Sequence, residues 1–168
     1  SRMPFASLRD FIDRLEKAGR LVRVKAPVSP VLEMTEIQTR LLAEKGPAVL
    51  FENVVGSDIP VLVNLFGTVE RVAWGMDREP GQLRAVGETL AFLRQPEPPG
   101  GWREALDMLP LVRTVMAMKP RTVSSAPCQE VVLTGDDIDL GRLPIPTCWP
   151  GEPAPLITWP LIVTQGPN

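Results

Sequence analysis

Residues 7–25 read SLRDFIDRLEKAGRLVRVK, and the reading of this stretch decides the fold class. Ser7 can accept hydrogen bonds from the free N–H groups that open a helix. Leu8, Phe11, Ile12 and Leu15 then recur at the helical period, and Gly19 supplies the stop. Leu21–Lys25 switches to the apolar–polar alternation of a half-buried strand. Working outward, Ser29-Pro30 reads as a cap with proline at the first helical position, opening a helix with Leu32, Ile37, Leu41 and Leu42 that runs to about Lys45. Gly46-Pro47 ends it. Ala48–Phe51 and Ile59–Val63 read as short strands parted by a turn at Gly56-Ser57-Asp58. Thr68 caps a helix through Trp74, and another spans Gln82 to Leu93. Helices alternating with strands predict an α/β domain.

The texture changes downstream. Gln95–Gly101 (QPEPPGG) is a breaker, and Trp102–Lys119 reads as one or two short helices interrupted by Pro110. After Pro120 come apolar runs expected as strands: Gln129–Leu133, Leu143–Pro146 and Pro155–Thr164. A turn at Gly135-Asp136-Asp137 separates the first two. The division is an α/β domain over 3–119 and the opening of a β-rich domain over 120–168. Ser1-Arg2 ahead of Met3 reads as a leftover of cloning. A strand whose partners are missing at the chain end reads as a cut inside a larger fold.

Composition narrows the chemistry. The 168 residues are 44% hydrophobic and 23% charged, with a net charge of −2. This is ordinary globular composition, and the balance of charge gives no reason to expect nucleic acid as partner. No apolar run is long enough to span a membrane, and no signal pattern opens the chain, so a cytoplasmic location is expected. There is no His and no Tyr. Serine or cysteine nucleophiles activated by His are therefore excluded within these residues. Proline, at 19 of 168, is about twice its usual frequency.

Candidate sites are few. Cys128 and Cys148 lie twenty positions apart without a CxxC, so two small buried or half-buried thiols are expected rather than zinc, redox or disulfide chemistry. Asp136, Asp137 and Asp139 begin like a calcium loop but place Cys148 where its bidentate Glu belongs, so a solvated turn is expected. No glycine-rich phosphate loop occurs. Leu109–Met118 is expected as a packed helix rather than a membrane anchor. Thr158-Trp159-Pro160 puts a proline in an apolar strand, which implies an edge, a bulge or a backbone that something approaches. Trp159 offers a flat face for an aromatic ligand, or equally a core position beside a bulge.

The second half carries a resemblance. Ala126–Glu130 (APCQE), Gly135–Leu140 (GDDIDL), Leu143–Pro150 (LPIPTCWP) and Ala154–Trp159 (APLITW) resemble the UbiD decarboxylase family in order and spacing. Leu8–Phe11, Leu32–Ile37, Gly46–Asn53 and Asn64–Thr68 resemble that family's N-terminal domain. Within the family, the chain is most similar to 3-polyprenyl-4-hydroxybenzoate decarboxylases of ubiquinone synthesis. The resemblance implies an N-terminal α/β domain followed by the first strands of an incomplete, flavin-reductase-like split β-barrel.

It also implies non-oxidative decarboxylation of an aromatic, 4-hydroxybenzoate-type acid, polyprenylated in some members. The implied cofactors are prenylated FMN, a divalent metal (Mn or Mg) and potassium. A homo-oligomer is implied as well, peripheral to a membrane if the substrate carries a polyprenyl tail. Loss of CO2 needs an electron sink, a positioned acid and cations for the flavin phosphate. The family's metal-binding Asn, its later His and its Glu-Arg-Glu network lie beyond the motifs matched here, and Asn168 is not that Asn. No catalytic or metal residue is therefore assigned. Thr158, Trp159 and Pro160 alone carry over, as a wall of the cofactor and substrate pocket. The expectation for the 168 residues alone is an inactive chain that does not hold the cofactor tightly. The alternative is a non-catalytic docking or oligomerisation module of a larger assembly.

Overall fold

The computed structural model describes residues 5–95, 100–117, 122–158 and 160–162. Helix α1 (Leu8–Lys17) begins as expected. Ser7 Oγ accepts from the N–H of Asp10, and the Asp10 carboxylate accepts from the N–H of Ser7, a reciprocal cap. Past the helix end, Gly19 takes φ +67°, where a side chain would be strained, and the chain turns into β1 (Leu21–Val24).

The second helix starts later than the sequence suggests. Helix α2 covers Glu33–Ala43, and Ser29 is not its cap. The Ser29 hydroxyl instead accepts from the N–H of Val31, and the Glu33 carboxylate accepts from the N–H of Ser29. Pro30 O and the N–H of Leu32 both bond to Thr147, and Leu32 turns into the helix at φ +63°. A long-range bridge thus takes the residues that local propensity would put in the first turn.

Strand β2 (Ala48–Phe51) runs parallel to β1, with Leu21 opposite Ala48 and Val24 opposite Phe51. Strand β3 (Val61–Val63) lies antiparallel on the far side of β2, with Val49 opposite Val63. It is shorter than the expected Ile59–Val63. The order β1-β2-β3 makes β2 central. Its side chains alternate between two apolar clusters. Ala48 joins Phe11, Leu15 and Leu21 on the α1 side, while Val49 and Phe51 join Val28, Met34, Val54 and Val63 on the α2 side. Burying both faces explains why β2 is apolar throughout. Arg23 ties the elements at the surface, its guanidinium forked on Glu16 at 2.7 and 2.9 Å and reaching Glu52 at 2.9 Å.

After β3 the chain enters α3 (Val69–Gly75), capped by Thr68 as expected. Arg71 of this helix is 1% exposed. It donates from Nε to Leu65 O, from one terminal nitrogen to Gly46 O, and from the other to Asn64 O, each at 3.0 Å. Asn64, at φ +54°, adds two bonds from Nδ2 to the carbonyls of Gly46 and Pro47. Its Oδ1 is buried without a partner. Gly67 closes this knot, since a Cβ there would run into Asn64 Oδ1 and come within 2.9 Å of Arg71.

Two compact units divide the chain, one from the described residues of 1–83 with those of 139–168, the other from those of 84–138. Nearly all of the second unit's helical content lies in α4 (Leu83–Arg94), α5 (Trp102–Asp107) and α6 (Leu109–Ala117), with short 3-10 turns at Pro127–Gln129 and Gly135–Asp137. Helix α4 has no buried residue. The strands expected after Pro120 are not formed among the described residues. Val131 is 77% exposed, and residues 131–134 and 155–157 join no ladder. Apolar β-prone runs do not form a sheet without a partner for their N–H and C=O groups.

Two outcomes are expected. Gly67→Ala should lower stability by about 1–3 kcal/mol, the cost of overpacking a tight site, read as a lower urea midpoint. The Glu16 carboxyl is held below its ordinary range chiefly by hydrogen bonding to Arg23, which outweighs an opposing effect of desolvation, with a lesser contribution from the arginine's charge. A carboxyl depressed in the folded state stabilises above its unfolded pKa and loses that contribution as pH falls through the folded one. The urea midpoints of the parent and Arg23→Gln should therefore differ at neutral pH, begin to approach one another near pH 4.5, and converge as the pH falls through the lowered folded-state pKa.

Candidate functional site

Thr158, Trp159 and Pro160 follow a segment that is fastened to the first unit by identifiable bonds. The N–H of Thr147 donates to Pro30 O at 3.1 Å, and Thr147 O accepts from the N–H of Leu32 at 2.9 Å. Ser57 Oγ reaches Arg142 O at 3.2 Å. The Glu152 carboxylate accepts from the N–H groups of Cys148 (2.6 Å) and Trp149 (3.1 Å), folding residues 148–152 into a turn. The N–H of Leu156 then returns to Pro146 O at 2.9 Å.

Between this strap and the loops beneath it lies a cleft of about 420 Å³, walled by Val31, Val55, Leu143, Ile145 and Pro155 among others. Its lining carries no charged side chain. It can shelter apolar matter but cannot by itself hold a phosphate. Thr158 and Pro160 are both exposed and do not line it, and Leu161 beyond them is 97% exposed. Trp159 lies outside the described residues.

Among the described residues no group of three His, Cys, Asp or Glu stands close enough to hold a metal ion. Neither a divalent metal nor a flavin phosphate fits the donors around the cleft and Thr158–Pro160. Both cysteines are free, but Cys128 is exposed rather than buried, and Cys148 is half-buried. Asp139 Oδ1 accepts from the N–H of Gly141 at 2.8 Å, the local turn expected of this acidic run. Among the described residues no helix is long and apolar enough to cross a membrane.

Sequence reasoning missed Arg71. A charged residue inside a short helix reads as solvent-facing, since arginine is seldom buried. The available signal was the sequence Asn64-x-x-Gly67-Thr68-x-x-Arg71, a cap residue flanked by groups able to satisfy loop carbonyls. Burial lowers the affinity of the Arg71 guanidinium for its proton; the charge of Glu70 partly restores it and that of Arg20 opposes it.

Two family models match in chain order. The 3-octaprenyl-4-hydroxybenzoate carboxy-lyase N-terminal domain covers residues 12–90, and the Rift-related domain of the same carboxy-lyase covers residues 121–168. The chain is similar to an evolved dimeric form of the UbiD-class enzyme HmfF from Pelotomaculum thermopropionicum in complex with prFMN. They share 28% identity at a TM-score of 0.64, over 90% of this chain and 30% of that one. The same organism's HmfF in complex with FMN gives 27% identity and a TM-score of 0.62, over 88% of this chain and 28% of that one. The chain thus spans under a third of the length of these enzymes. With both domain models matched in order along a mixed α/β fold, this chain belongs to the UbiD family of carboxy-lyases.

Proposed function

We propose that these residues are the N-terminal portion of a prenylated-FMN-dependent, non-oxidative decarboxylase of aromatic acids of the 4-hydroxybenzoate type, acting in ubiquinone synthesis. The observation that carries this reading is the ordered match of both carboxy-lyase domains, supported by the likeness to a prFMN-bound enzyme. The same reading divides the chain into an α/β domain over 3–119 and the opening of a split barrel over 120–168. Prenylated FMN would supply the electron sink for decarboxylation. The residues near the apolar cleft do not provide cations or a proton donor for it. The chain's own part is to hold the strap of residues 139–158 on the α/β unit and thereby present Thr158-Trp159-Pro160. Metal, potassium and acid groups would come from further residues of a longer polypeptide.

One feature favours an assembly role alongside this. In the second unit Leu90, Trp102, Leu106 and Met116 are exposed, with Trp102 at 71%. Apolar surface of this extent suits a partner surface, and a homo-oligomer is the reading adopted.

Absorbance titration with prenylated FMN and assay of CO2 release distinguish the possibilities. The 168-residue chain should neither bind stoichiometrically nor turn over, whereas a longer polypeptide of the same gene should do both. In that polypeptide Trp159→Ala should reduce kcat/KM at least about tenfold, with partial recovery in Trp159→Phe, because misplacing a pocket wall is costly to catalysis. Turnover by the 168 residues alone would contradict the incomplete site. A longer, flavin-loaded polypeptide that releases CO2 from no aromatic acid would contradict the activity.

A further inference from the structure

We infer that the first unit holds a phosphate-binding cleft built on Arg71, Lys45, Arg20 and Thr68. The cleft, about 300 Å³, is lined by Gly19, Arg20, Lys45, Pro47, Thr68, Glu70 and Arg71. Three cations and one carboxylate face it. Phosphate takes charge-assisted hydrogen bonds from several directions, and such a convergence of donors is what its recognition requires.

Arg71 lines the cleft while remaining 1% exposed. Three of its five N–H donors go to carbonyls, which leaves two. Among the described residues it makes no salt bridge, and the neighbouring carboxylate of Glu70 is engaged by Arg20 at 3.1 Å. A buried cation without a paired anion is costly in isolation, and a bound anion lowers that cost. Its position is fixed before any ligand arrives by the knot with Asn64 and Gly67.

Lys45 forms a second wall. It sits just beyond α2 at φ +55°, a conformation that favours glycine, yet the residue is a long cation. Its side chain is exposed and makes no ion pair among the described residues. Gly46, the residue that would accept that geometry without strain, is one position further on and gives its carbonyl to Arg71. Thr68 accepts from the N–H of Arg71 and keeps its own O–H as a donor. Glu70 is the one unfavourable group. Its pairing with Arg20 neutralises it at the rim and leaves the net charge of the lining at about +2. The volume exceeds that of a bare phosphate ion and leaves room for a substituent, so the ligand class we infer is a phosphomonoester.

The test titrates the 168-residue chain at constant ionic strength with inorganic phosphate and with glycerol 3-phosphate, followed by thermal shift and NMR line shifts. Acetate and chloride serve as controls. Saturable binding of both phosphates, with neither control matching them, is expected. Lys45→Gly should keep or raise the melting temperature, because the strained residue becomes glycine, while weakening phosphate about tenfold. Glu70→Gln should tighten it, a change opposite in sign that general destabilisation does not produce. Cosedimentation with phosphatidic acid vesicles in excess of competing glycerol 3-phosphate would place the ester on a lipid; release by the soluble ester would place it on a small metabolite. Equal response to acetate or chloride, or undiminished phosphate binding by Lys45→Gly, would overturn the inference.

Discussion

The buried guanidinium of Arg71 is the constraint on which the loop side of this α/β unit depends. It gathers three carbonyls, from Gly46 before β2 and from Asn64 and Leu65 after β3. These loops flank neighbouring antiparallel strands at the same end of the sheet, and one planar side chain ties them together. Replacing it by an apolar residue would strip Leu65 O of its donor and leave Gly46 O and Asn64 O with one partner each, from Asn64 Nδ2 and the N–H of Gly67, a loss beyond that of an average hydrogen bond. The left-handed Asn64 and the side-chain-free Gly67 follow from the same requirement, because the loop has to fold over the guanidinium at close range.

From that point the register of the sheet follows. Gly46 is held, the N–H of Ala48 donates to Arg20 O, and Ala48 therefore falls opposite Leu21. Each side chain of β2 is thereby assigned to one face. A slip of one residue would turn Phe51 from the α2 cluster to the α1 side, where Ala48 leaves no room for it. Arg23, aligned with Leu50 on the α1 side, then meets Glu16 on that helix.

The elements legible in the sequence are those whose signals are local. The cap at Ser7, the stop at Gly19, the apolar run Ala48–Phe51 and the cap at Thr68 each stand where their chemistry indicates. The start of α2 was not legible, because Pro30 and Leu32 are claimed by Thr147, more than a hundred residues away. The apolar runs after Pro120 have the composition of strands, but composition does not supply a neighbouring strand. The site divides in the same way. Thr158–Pro160 entered through likeness to a family, and the described members of that trio stand exposed. Arg71 went unread because the local signal around it, Asn64, Gly67 and Thr68, does not by itself separate a buried arginine from a solvated one. Its meaning lies in three carbonyls that only the folded chain brings together.

Among the described residues, the buried apolar ones all fall between Phe11 and Ala73. A ribosome delivers these residues first, and domains condense as units in the order of their synthesis. The whole interior of the sheet and its two covering helices is therefore available for folding before α4 has been translated. The strap that carries Thr158 arrives later and meets a surface already formed at Pro30 and Ser57. Vectorial synthesis thus presents the later segment with a template, so that the segment lacking its own core is ordered by one already built.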